Sequence, residues 1–211
     1  MEIYIIHEES RIDRSHNVDI LCEHFPNAIV FPAISPSWIK DCGVRSVLGC
    51  SLSHLEILYN SKANSVLILE DDAELRSDFF NMLDLKVPED AGSIIFGGEI
   101  PPENTACGVG EYSKIIGQYY GSHAVWYNLK YLKSVNFFAI VYKIIATRKI
   151  GSETNNLSDD IGICYESILA YTLKLLNISL YRPKSMGFVT IESISQRTNM
   201  VMKPRVKFLD I

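Results

Sequence analysis

The sequence contains no Cys-x-x-Cys pair. Its five cysteines, Cys22, Cys42, Cys50, Cys107 and Cys164, are scattered and odd in number, which excludes a zinc ribbon and a disulfide framework. They read as small buried hydrophobes in a reducing compartment. No basic run is present and the formal charge is -5, so the lysine and arginine surface on which nucleic-acid affinity rests is missing. No apolar run approaches the ~20 residues that cross a bilayer, and the opening MEIYIIHEESRIDR turns polar after six residues, too early for a signal-peptide core. Low-complexity tracts, internal repeats and an interdomain linker are also lacking. These absences leave one globular domain over residues 1–211, with 47% apolar and 21% charged residues, and a cytoplasmic setting as the expectation.

What is present reads as strands alternating with helices. Glu2 to Ile6 (EIYII) is a first strand, followed by helical spacing at Ile12, Val18, Leu21, Cys22 and Phe25. Ala28 to Phe31 is a second strand before the turn-rich PAISPSW, and Leu48 to Tyr59 is a helix with Leu48, Leu52, Leu55 and Leu58 along one face. VLIL at Val66 is a third strand. SIIF at Ser93, AVWY at Ala124 and ISLYRP near Ile178 supply three more, and Val135 to Ala146 suits a core helix. The alternation predicts an α/β protein with a mostly parallel central sheet and helices on both faces.

The third strand stops abruptly on charge. In VLILEDDAEL, four apolar residues run into Glu70, Asp71, Asp72 and then Glu74, which places adjacent carboxylates at the carboxyl edge of a strand, where open α/β sheets keep their crevice. Carboxylates also gather at strand ends and in first helical turns because the dipole favours them. Here the fully apolar strand and the helix-like segment expected from Ala73 onward turn Asp72 into the crevice. Hard oxygen ligands suit Mg²⁺ or Mn²⁺, which complete their shells with water and substrate phosphate. The expected counter-charge is therefore a divalent cation holding a diphosphate.

Upstream, GCSLSHLEIL from Gly49 carries Ser51, Ser53 and His54 on a helix, which by chemistry alone fits a core helix with satisfied polar groups. Together, GCSLSHLEIL and VLILEDDAEL closely resemble two signature blocks of glycosyltransferase family 25, which includes bacterial lipopolysaccharide and lipooligosaccharide galactosyltransferases and the collagen galactosyltransferases. YIIHEESRIDR, IIFGG and GSHAVWYN resemble flanking blocks more loosely. Leu157-Ser158-Asp159-Asp160 stands where the family commonly has Pro-Val-Asp, and IESISQR is only loosely similar to the family's ending.

The resemblance implies a single-domain GT-A (Rossmann-like) fold. It also implies metal-dependent transfer of galactose or glucose, with inversion, from a UDP-sugar to a glycan, glycolipid or glycoprotein such as a lipopolysaccharide or another surface polysaccharide. It would set Asp72 on Mn²⁺ or Mg²⁺ with Glu70 beside it, and Glu70 and Asp71 near the ribose or in support of the site. Ser53 and His54 would join the cleft, Arg11 or Arg14 the nucleotide end, and His123 a close approach to ligand. Inversion requires a base on the acceptor side. NNLSDDIGICYESIL puts Asp159 and Asp160 before an apolar periodic segment, where one would cap a helix and the other, Asp160 by preference, would take the proton. A magnesium-dependent phosphohydrolase or nucleotidyltransferase is the alternative enzyme, weakened by the lack of a GxxxxGKS/T loop. A non-catalytic sugar-nucleotide-binding domain is the third reading. Lys203, Arg205 and Lys207 in VMKPRVKF give at most weak peripheral contact with an anionic inner membrane face.

Overall fold

The computed structural model describes residues 1–40, 42–77, 79–83, 85–98, 100, 102–117, 119, 121–147, 165–184, 188–190, 193, 194, 201 and 202. Asp159, Asp160 and the Lys203–Lys207 segment lie outside the described residues. Strand β1 (Glu2–His7) leads into helix α1 (Ile12–His24), β2 (Ile29–Pro32), α2 (Cys42–Asn60) and β3 (Val66–Glu70). Next come β4 (Ala73–Leu75), α3 (Phe79–Leu83), β5 (Ala91–Ile95), a 3₁₀ turn (Pro102–Asn104), β6 (Thr105–Ala106), β7 (Tyr112–Ile115) and β8 (Ala124–Tyr127). The chain continues through α4 (Leu129–Ser134), α5 (Phe137–Thr147), α6 (Tyr165–Leu175), β9 (Ser179–Pro183), β10 (Phe188–Thr190), β11 (Ser193–Ile194) and β12 (Val201–Met202).

Eight strands form one sheet in the order β2-β1-β3-β8-β5-β9-β7-β6. Val66, Leu67, Ile68 and Leu69 of β3 are fully buried because this central strand is covered on both faces, which is why it reads as an unbroken apolar run and not as an alternation. On one face Ile68, Val125 and Ile95 pack with Leu55 and Leu58 of α2, Phe137 and Val141 of α5, and Leu169 of α6. On the other, Leu67, Leu69 and Ile94 pack with Val18 and Leu21 of α1 and with Phe79 and Met82 of α3. Helix α5 buries Phe137, Val141 and Ile144 at helical spacing, the core helix expected from the sequence. Among the described residues, no helix is long and apolar enough to cross a membrane.

Two expectations are corrected. The sheet is mixed and not mostly parallel: β2, β1 and β3 run parallel, as do β5 and β9, but β8 is inserted antiparallel between β3 and β5. A parallel neighbour needs a helix-length crossover. The only helical turn described between β5 and β8 is the three-residue Pro102–Asn104, so β8 enters from the edge where β5 left. The segment after the acidic triplet is also not helical, since Ala73–Leu75 is a strand paired antiparallel with β10. Asn17 Nδ2 donates to the carbonyl oxygens of Asp71 and Ala73 at 3.1 and 2.9 Å, which holds the backbone extended until α3 begins at Phe79.

Candidate functional site

Successive residues leaving a strand point to opposite faces, and this separates three adjacent carboxylates that would otherwise repel one another. Glu70 turns toward α2. Its Oε1 lies 3.2 Å from His54 Nε2 and accepts from Ser122 Oγ at 2.6 Å, and the Cys50 thiol donates to it at 3.3 Å. Asp71 turns toward β1 and α1, where Oδ2 lies 3.0 Å from His7 Nδ1 and accepts from the Glu8 amide at 3.1 Å, while Arg14 Nη1 donates to Oδ1. Asp72 faces the end of β8, with Oδ1 3.0 Å from His123 Nδ1 and Oδ2 3.1 Å from Arg14 Nη2.

His123 is fixed by backbone as well as side chain. The Glu70 amide donates to its carbonyl at 2.8 Å, and Gly121 two residues earlier has φ +87°, the left-handed region open to glycine. A Cβ at Gly121 would stand 2.5 Å from His123 Nε2 and 3.3 Å from the Gly98 Cα. Gly98, itself at φ +110°, thus lies against the loop carrying His123.

Helix α2 brings two pairs of residues to two different neighbours, each pair one turn apart. Cys50 and His54 face Glu70, and His54, fully buried, also lies 3.1 Å from the Tyr127 hydroxyl. Gly49 and Ser53 face the loop after β2: Ser53 Oγ donates to the Gly49 carbonyl and accepts from the Ile34 amide, both at 2.8 Å. A Cβ on Gly49 would lie 2.3 Å from the Ile34 carbonyl oxygen, which is backbone and cannot swing away. Gly49→Ala is therefore expected to cost about 1–3 kcal/mol by overpacking, and Ser53→Ala about 1 kcal/mol through the orphaned Ile34 amide. Urea denaturation checks both. Unchanged midpoints would mean that the loop does not dock on this face.

The electrostatics follow from burial and partners. Burial would raise the Glu70 carboxyl, but the hydrogen bond to His54, the charges of His123 and His54, and the Ser122 hydroxyl hold it far below the usual carboxylate range. Asp72 is likewise lowered, as the charge and hydrogen bond of His123 and the charge of Arg14 outweigh its burial. Asp71 is raised: burial, aided by the charge of Asp72, exceeds what Arg14 and His7 return. Arg14 loses to burial and gains more from Asp72, Asp71 and Glu70, so its guanidinium is held charged. Removing one partner of a buried pair leaves the other uncompensated, so Arg14→Gln should lower stability by about 3–5 kcal/mol. Chemical denaturation measures this, and a loss under about 1 kcal/mol, the range of an exposed pair, would mean that the contact is solvated.

The sequence-predicted residues within the described structure fall into two groups. Glu70, Asp71, Asp72, His54 and His123 converge at one end of β3. Ser53 and Arg11 do not reach them: Ser53 braces the Ile34 loop, and Arg11 forms a two-pronged pair with Asp13 at 2.8 and 2.7 Å. The cluster also contains His7, Asn17, Cys50, Ser122 and Tyr127, which sequence reasoning did not single out. Cys50 and Ser122 sit inside the two quoted blocks GCSLSH and GSHA, one residue from positions that were singled out.

Glu70, Asp72 and His123 each offer a ligand atom within 4.8 Å of the others. The two carboxylates are hard oxygen donors that suit Mn²⁺ or Mg²⁺, and the imidazole beside them favours Mn²⁺ of the two. Three carboxylates against one guanidinium leave two negative charges in the cluster, which protonated imidazoles or one divalent cation can balance. The residues therefore fit the ion.

No protein-family model matches the chain, and no curated protein does. Solved structures do. A glycosyltransferase involved in glycosylation of the major capsid of PBCV-1 superposes with a TM-score of 0.53 at 12% identity, covering 94% of this chain and 97% of that one. The apo form of the glycosyltransferase GlyE of Streptococcus pneumoniae TIGR4 gives 0.50 at 13% identity over 85% of this chain and 44% of GlyE. An active-site mutant of LgtC gives 0.50 at 13% identity over 86% of this chain and 72% of that one. The chain thus spans less than half the length of GlyE. At such identities the likeness is one of fold, and the fold is the mixed α/β GT-A glycosyltransferase fold.

Proposed function

We propose that the protein is a metal-dependent glycosyltransferase that moves galactose or glucose, with inversion, from a UDP-sugar to a glycan acceptor such as lipopolysaccharide or another surface polysaccharide. The observation that supports this most is the convergence of Glu70, Asp72 and His123 at the carboxyl edge of β3 in a GT-A sheet. In this reading Asp72 and Glu70, with His123, hold Mn²⁺ or Mg²⁺. Such an ion offsets charge growing on the departing diphosphate. Both oxygens of Asp71 are engaged by Arg14, His7 and the Glu8 amide, so its part is to lock α1 and β1 to the metal-holding turn. Asp160 or Asp159 takes the proton from the acceptor hydroxyl.

Thermal-stability measurements with UDP, GDP and CMP, each with and without Mn²⁺, test the reading. A rise specific to UDP and dependent on metal is expected, followed by sugar transfer in an assay with UDP-galactose and UDP-glucose. Release of phosphate without transfer would replace it with the phosphohydrolase reading. Metal-dependent UDP binding with no transfer to any glycan would leave a binding domain.

A further inference from the structure

A second group of ligating side chains, chemically unlike the first, meets at the opposite oxygen-facing side of Glu70. Cys50 and His54 stand one turn apart on α2, with Cys50 Sγ 3.3 Å and His54 Nε2 3.2 Å from Glu70 Oε1, and the ligand atoms of all three lie within 4.8 Å of one another. A tetrahedral ion with ligands at about 2.0–2.3 Å holds them roughly 3.3–3.7 Å apart. Both measured edges therefore sit close to that spacing. The other ring nitrogen of His54 is 3.1 Å from the Tyr127 hydroxyl, the kind of outer partner that fixes the tautomer and direction of a ligating imidazole. Ser122 Oγ, 2.6 Å from Glu70 Oε1 and 3.7 Å from Cys50 Sγ, is too near Glu70 to be a fourth ligand and remains its hydrogen-bond donor, which leaves the fourth position to water.

We propose that Cys50, His54 and Glu70 form a Zn²⁺ site that ties α2 to the end of β3. A thiolate, an imidazole and one carboxylate make a borderline-soft set, which selects Zn²⁺ over Mg²⁺ or Mn²⁺. Binding releases the Cys50 thiol proton to solvent as the sulfur–zinc bond forms, and no electron is transferred. Glu70 serves both sets, with Oε1 toward Cys50 and His54 and Oε2 3.8 Å from His123. The inference stands on this geometry and does not depend on the transferase reading.

The test uses the full chain stripped of metal and titrated with Co²⁺, then with Zn²⁺ as competitor. Co²⁺ should produce a near-ultraviolet thiolate-to-cobalt charge-transfer band that Zn²⁺ erases. The band should be missing in Cys50→Ser and Cys50→Ala and retained in Asp72→Asn. Zn²⁺ affinity in the Cys50 variants should fall by more than the roughly 10- to 100-fold already lost when only an outer partner of a ligand is removed. Zn²⁺ should also raise the melting temperature of the unaltered protein, as any ligand of the folded state does, and not that of the Cys50 variants. A folded, unaltered protein without the band overturns the proposal, as does a band that persists after Cys50 is replaced. Neither result bears on metal-dependent UDP binding, which is measured separately.

Discussion

Asp72→Asn should abolish metal-dependent UDP binding and nearly all transfer while leaving the protein folded. The side chain keeps its size, and the amide oxygen can still accept from Arg14 or face His123, the two partners Asp72 holds at 3.1 and 3.0 Å. It also removes one of three adjacent negative charges, so the weakening of the Arg14 ion pair to a neutral hydrogen bond is partly offset by reduced repulsion at Asp71 and Glu70. In the proposed metal site, what the amide cannot replace is the anionic oxygen that Asp72 offers beside Glu70 and His123. Removing even an outer partner of a metal ligand costs about 10- to 100-fold in affinity, so the loss of Asp72 should exceed about 100-fold for Mn²⁺. Isothermal titration of Mn²⁺ in the presence of UDP, with circular dichroism as the folding control, measures both halves of the expectation. Unchanged Mn²⁺-dependent UDP binding would remove Asp72 from the metal set. Glu70→Gln gives the internal comparison: Ser122 and the Cys50 thiol can still donate to its remaining oxygen, and the measured damage should be smaller. Equal damage would mean that the ion draws on Glu70 as strongly as on Asp72, despite the hydrogen bonds that already engage Glu70 Oε1.

The contrast between Arg11 and Arg14 shows what was legible in the sequence. The resemblance offers either arginine for the nucleotide end, yet the buried face of α1 runs through Asn17, Val18 and Leu21. Stepping back one turn along that face reaches Arg14, whereas Arg11 precedes the helix and folds onto Asp13. Helical periodicity therefore contained the distinction. The same holds for α2, where Ser53 and His54 are neighbours in sequence but about 100° apart around the axis, so they cannot share a partner. The apolar run of β3 and its acidic stop were legible because Val66 to Leu69 are fully buried and charge begins only where the strand reaches the edge. The direction of β8 was not, because AVWY looks alike in parallel and antiparallel sheets and only the lack of a helical crossover decides it. Nor was the extended segment after Asp72, whose first residue, Ala73, is held by Asn17, 56 residues away along the chain.

Asp160→Asn is expected to lose turnover while still binding UDP and Mn²⁺. Inverting transfer needs a group that takes the acceptor proton on the side away from the departing diphosphate, so the carboxylates at the end of β3 cannot serve as both metal ligands and base. Under the proposed inverting reaction, a carboxylate later in the chain is expected to serve. Helix α6 leads through Leu176–Ile178 into β9, which runs parallel to β5, and its last turn packs near Gly92 at the start of β5, where a Cβ would meet Leu173 and Ile178. Helix α6 therefore runs back across the sheet with Tyr165 toward the carboxyl edge. Asp159 and Asp160 precede Tyr165 by six and five residues in the sequence, outside the described residues, and the base assignment rests on that order and on the resemblance to family 25. A general base contributes roughly 10²- to 10⁴-fold in rate, whereas a helix cap contributes about 1 kcal/mol of stability. The two aspartates should separate on those axes, Asp160→Asn in kcat and Asp159→Asn in melting temperature. The reverse pattern would exchange their roles. Retention of anomeric configuration in the product would dismiss both from base catalysis, because a retaining reaction does not place its proton acceptor opposite the leaving group.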